Sequence, residues 1–223
     1  IIDATDAQGN TRVGGNAGNS FDGTNATQNT LIGYDAGTAI TTGDNNTAVG
    51  AYALDACTTG AANVAIGRDS LGALTTGEKN VAVGRLSGAA ITDAEDNVAI
   101  GQQTLQSTTT GDRNIAIGTR ALSTPTTVSD NVAVGHEALT ATTTGIRNSA
   151  VGSLALGSNT IGQYNTALGY GSLYAATEAS NNTAVGYQAL VANTTGTQNT
   201  AVGALAADAV TTGSNVTAMG YLA

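Results

Sequence analysis

The sequence predicts an all-β chain folded as a parallel β-solenoid of about thirteen coils with a 17-residue repeat, on three observations. An asparagine recurs every seventeen residues, from Asn29 through Asn46, Asn63, Asn80, Asn97, Asn114, Asn131, Asn148, Asn165 and Asn182 to Asn199. A glycine stands four places after each, and the residues between them are short, apolar and strand-forming. Self-similarity at a fixed short period marks a stack in which each repeat buries its apolar surface only against its neighbours. The composition agrees, because 223 residues with no Trp, one Phe, one Met, one Pro and 30 Gly can fill only a narrow interior.

In chain order, residues 1–28 hold one looser copy. Asn10, Thr11, Val13, Gly14, Ala17 and Gly18 mirror Asn29, Thr30, Ile32, Gly33, Ala36 and Gly37 at a spacing of nineteen. Terminal repeats are atypical because one side lacks a like neighbour, so 1–28 reads as a cap or junction and 29–223 as the solenoid. The opening IIDATDAQGN and the stop at Ala223 partway through a repeat read as cuts from something longer.

Each unit, for example NTAVGYQALVANTTGTQ (Asn182 to Gln198), opens on a strand. Its third residue is Ala in every strict copy except Leu31, and its fourth is aliphatic or Met, from Ile32, Val49 and Ile66 to Val202 and Met219. Successive strand residues point to opposite faces, so the strand is apolar on both. We expect the aliphatic column to line the coil and the small Ala column to lie where chains wound side by side approach closely. A thin single solenoid has nothing else to cover a second face, which predicts self-association.

The fifth residue is glycine throughout, at Gly33, Gly50, Gly67, Gly84, Gly101, Gly118, Gly135 and onward to Gly220. A fixed glycine implies a positive φ or close approach of another backbone. The asparagine column is expected to be a buried ladder, each amide bonding backbone and its copies in adjacent coils, with no ligand required. The second half of the unit carries Leu at its ninth position and reads as a short strand or a tight turn. An unbroken threonine column (Thr41, Thr58, Thr75, Thr92, Thr109, Thr126, Thr143, Thr160, Thr177, Thr194, Thr211), usually followed by Thr-Gly, marks a further turn.

Charge and cysteine count exclude several functions. A net charge of −9 without a basic cluster disfavours nucleic acid and anionic membrane surfaces. No apolar run is long enough to span a bilayer, so membrane insertion by this segment is not expected. Cys57 is the only cysteine, which rules out an intramolecular disulfide and a cysteine zinc site. It reads as a free thiol with no task. His136 beside Glu137 has no nucleophile in its column and reads as surface decoration, so neither a catalytic site nor a cofactor is expected.

The columns that vary are where recognition is sought. The last position reads Lys79, Asp96, Arg113, Asp130, Arg147 in successive copies, alternating signs that favour vertical pairing and register. Beside it Glu78, Glu95 and Asp112 stack, but basic neighbours spoil them as a calcium site, and no metal is expected. Tyrosines gather late in the chain. Tyr170, Tyr174 and Tyr187, with Gln188, are the candidate glycan-binding residues, since aromatic faces beside amides are the materials that hold sugars.

The phrases NVAIGRDS (Asn63 to Ser70), NVAIGQQT (Asn97 to Thr104) and NTAVGYQA (Asn182 to Ala189) resemble repeats of trimeric autotransporter adhesin heads, and more closely those of phage tail-fibre proteins. The resemblance covers almost the whole chain. It implies a left-handed β-roll wound as a homotrimer, a virion or extracellular bacterial-surface location, and a structural, adhesive role in attachment to cell-surface glycans. The matching positions are the structural ones, so no functional residue carries over. An alternative reading, ice binding, follows from the regular threonine array.

Overall fold

The computed structural model describes residues 6–21, 25–125 and 127–223. Thr126 of the threonine column and residues 1–5 and 22–24 of the cap lie outside them. The described residues form a parallel β-solenoid with one three-residue strand per coil and no helix. Two compact units divide the chain, Ile1–Arg113 and Asn114–Ala223. In the first, β1 (Thr11–Val13), β2 (Thr30–Ile32), β3 (Thr47–Val49), β4 (Val64–Ile66), β5 (Val81–Val83) and β6 (Val98–Ile100) pair in sequence order, all parallel. In the second, β7 (Ile115–Ile117), β8 (Val132–Val134), β9 (Ser149–Val151), β10 (Thr166–Leu168), β11 (Thr183–Val185), β12 (Thr200–Val202) and β13 (Thr217–Met219) do the same. The register is the sequence period itself, Ala48 opposite Ala65 opposite Ala82. The looser first copy joins this pattern, with Thr11 opposite Thr30.

The two strand faces are reversed from the sequence expectation. The alanine column points inward, and Ala48, Ala65, Ala116, Ala133, Ala150 and Ala184 are fully buried. The aliphatic column points outward, half-exposed. Volume decides the matter, because the inward third residue meets the leucine of the ninth position, and Leu54, Leu71, Leu122, Leu139 and Leu156 are buried too. The twelfth position adds a second buried side chain in some coils, Ile40, Leu74 and Ile91 among them, so the space facing the third residue is already occupied. Coil two makes the same fit in reverse: Leu31 replaces Ala and the ninth position becomes Gly37, where a Cβ would stand 2.7 Å from a Leu31 methyl. Close packing of this kind leaves no space for Val or Ile at the third position beside a ninth-position leucine.

Both physical reasons offered for the glycine column operate together. Gly50 has φ +138° and Gly135 +137°, and a Cβ at either would lie within 2.7 Å of the next coil's glycine carbonyl.

The asparagine ladder is buried and fully used. Asn63 shows the pattern: its Oδ1 accepts the backbone N–H of Asn80 at 2.9 Å and the Asn80 amide at 3.2 Å, while its own Nδ2 donates to Gly77 O at 2.9 Å. The same bonds recur at Asn46, Asn131, Asn148 and Asn165. Replacing Asn63 by Ala would orphan a buried N–H and a buried carbonyl at once. Each orphan costs roughly 1–3 kcal/mol. A loss of about 3 kcal/mol is therefore expected, measured by denaturant unfolding, with Asn→Ala at the exposed Asn19 as the neutral control.

The second half of the unit is turn, not strand. Its seventh and ninth residues sit in the left-handed region, as at Tyr52 (φ 59°) and Leu54 (φ 55°). Each such residue is held at a cost of roughly 1 kcal/mol or more. Burial of the leucine offsets it by about 2 kcal/mol.

Candidate functional site

The threonine and acid columns are committed to the fold. Thr58 Oγ1 donates to Thr75 O, Thr75 to Thr92 O, and Thr143, Thr160, Thr177 and Thr194 follow suit. The next column is exposed, but Asp93, Ile161 and Glu178 interrupt its threonines. At the sixteenth position, Asp112 Oδ1 accepts the N–H of Glu95 at 2.9 Å and Asp44 that of Thr27 at 2.7 Å, and Ser180 Oγ does the same for Gln163. An aspartate or serine there satisfies a backbone donor in the preceding coil. Among the described residues no three His, Cys, Asp or Glu side chains stand close enough to share a metal ion.

Vertical charge pairing occurs where Arg147 Nε meets Asp130 at 3.9 Å. Arg147 also donates to the Tyr164 hydroxyl at 2.8 Å, and Arg113 meets Asp112 of its own coil at 3.9 Å. His136 is exposed, 4.0 Å from Glu137, whose carboxylate takes Arg120 at 3.1 Å. Burial raises the Asp55 carboxyl, and Asp69 and Asp35 push the same way.

Cys57 is buried, its Sγ 3.6 Å from Gly60 O, and burial pushes the thiol up to about 11. Thiol reagents act on the exposed thiolate. Native protein at pH 8 is thus expected to leave Cys57 unlabelled by a chromogenic disulfide, with full labelling on unfolding; rapid native labelling would contradict this burial.

Two surfaces of the described residues stand out for their exposed apolar and aromatic side chains. The first is the outward sheet face, built from the second and fourth residues of the repeat. In unit one it carries Val64, Ile66, Val81, Val83, Val98 and Ile100; in unit two Ile115, Ile117, Val132, Val134, Val151 and Leu168 lead it. Ile66, Ile100, Val151 and Leu168 are 39, 38, 37 and 47 % exposed. Each unit thereby leaves a run of half-exposed aliphatic side chains in solvent, and contiguous apolar surface of this kind marks an interaction face.

The second is the tyrosine edge of unit two. Tyr170 and Tyr187 hold the same position in adjacent coils and stack, centroids 5.7 Å apart and planes 12° apart. Tyr170, Tyr174 and Gln188 line one cavity of about 140 Å³ together with Leu154, Gly171 and Val191. Three of the four candidate residues are thereby brought together, and the fourth, Tyr187, supports the ring of Tyr170 from outside the lining. The position missed from sequence is Gly171. Its signal was present: it is the only glycine in the seventh column, between tyrosines at the sixth and tenth positions of its own coil.

No protein-family model, curated protein or solved structure matches the chain.

Proposed function

We propose that this chain is a structural and adhesive fibre segment, a left-handed β-solenoid assembled as a homotrimer on a virion or an extracellular bacterial surface, with its tyrosine edge turned to cell-surface glycans. The observation that supports it best is the outward Val, Ile and Thr face, which continues strand after strand in each unit and has no cover in a single chain. An apolar sheet face left in solvent is an aggregation hazard unless a like surface covers it. Three copies facing inward cover it with their own sheets. The repeat resemblance points to the same assembly. The tyrosine edge follows the glycine bend, past the sheet face, and stays outside the contact.

Native mass spectrometry tests the assembly. The expected spectrum shows three chains per particle down to low micromolar concentration; a single chain at every concentration would reject the trimer.

A further inference from the structure

We infer that the notch at Gly171 is a binding site for one neutral pyranose ring. The ligand class rests on the attachment reading above, whereas the site itself is contained in one chain and does not depend on trimerisation.

The glycine is not there for its backbone. Gly171 has φ +60°, and the same turn is made with side chains in the neighbouring coils, by Leu154 at φ 61° and Gln188 at φ 50°. Nor is it there to avoid a clash, since a Cβ would meet only Gln188 Cγ, at an ordinary 3.5 Å. Its effect is to leave a space. Tyr170 and Tyr174 stand on either side of that space along the chain, and Leu154 and Gln188 bound it from the coils before and after. A second glycine serves the same end: a Cβ on Gly157 would lie 3.0 Å from the Tyr174 ring, so its absence lets that ring settle against the preceding coil. Tyr187, stacked on Tyr170, holds the other wall.

The volume of about 140 Å³ suits one six-membered ring. A cavity of roughly this size accepts benzene in another protein. Two phenol rings, Leu154 and Val191 offer apolar surface to the C–H face of a sugar. The tyrosine hydroxyls and the Gln188 amide supply both donors and acceptors for its hydroxyls. No charged side chain lines the notch. An acidic sugar would find no cation there and would meet a chain of net charge −9, while a cationic ligand would find no carboxylate.

The test is saturation-transfer NMR on the full chain with the methyl glycosides of glucose, galactose, mannose and N-acetylglucosamine, and with glucuronic and N-acetylneuraminic acids. At least one neutral glycoside is expected to bind with a dissociation constant on the order of 1–10 mM, typical of a single small ring. Gly171→Leu fills the notch with the residue that Leu154 and Leu205 already place at this turn, so it should fold normally and weaken binding at least ~10-fold. Tyr174→Ala, which removes a wall, is the second variant and should do the same. Failure of every neutral glycoside to bind, unchanged binding in both variants, or equal binding of the acids would overturn the site. The mass spectrum is read on the same samples. A trimer that binds no sugar rejects the notch alone, and a sugar-binding monomer rejects the assembly alone.

Discussion

Gly135→Ala is expected to destabilise the second unit by about 4 kcal/mol or more. The added Cβ would fall 2.5 Å from the carbonyl of Gly152 and 2.8 Å from Ser153 N, at φ +137°, where alanine is itself strained. Backbone on both sides cannot yield as a flexible side chain would. The companion substitution Gly171→Ala adds the same atom at φ +60° with 3.5 Å of clearance and should cost only the left-handed backbone term, about 1 kcal/mol. Thermal unfolding followed by circular dichroism compares the two. Equal melting temperatures would mean that inter-coil contact at the fifth position is looser than described.

Val151→Glu is expected to convert the proposed trimer to monomer while leaving the coil folded. Val151 is 37 % exposed on the outward face of β9, so in one chain a carboxylate there stays in water and costs about 0.5 kcal/mol. In the assembly the same charge is buried three times over, each without a partner, at several kcal/mol apiece. Sedimentation velocity should show one-third of the native mass with an unchanged β-sheet spectrum. A trimer that survives the substitution would place the contact elsewhere.

Much of this was legible in the residues. The period fixed the register, since an asparagine every seventeen places can stack only on its copies, and the constant glycine announced a bend that excludes a Cβ. The facing of the strand was not legible from the strand alone. Ala and Val are both apolar, and alternation says that they part company without saying which goes in. The answer lay in the other half of the unit, where the ninth-position leucine already occupies the space that faces the third residue, as the Leu31 and Gly37 exchange makes plain. The turns after the strand were likewise obscured, because a leucine at φ near 50° is a conformation that propensity argues against. Tyr170, Tyr174 and Gln188 were picked out by residue type. Their convergence needed Gly171, whose meaning is the space it leaves and so is visible only once the coils on either side are in place.

The central claim, that the outward sheet face is covered by like chains while the tyrosine edge stays free, is tested most directly by hydroxyl-radical footprinting of the native protein. The predicted result is strong protection of Ile66, Ile100, Val151 and Leu168 relative to their 37–47 % exposure in a single chain, alongside full reactivity of Tyr170 and Tyr187, which are 48 and 51 % exposed. Labelling of both groups in proportion to those exposures would contradict it.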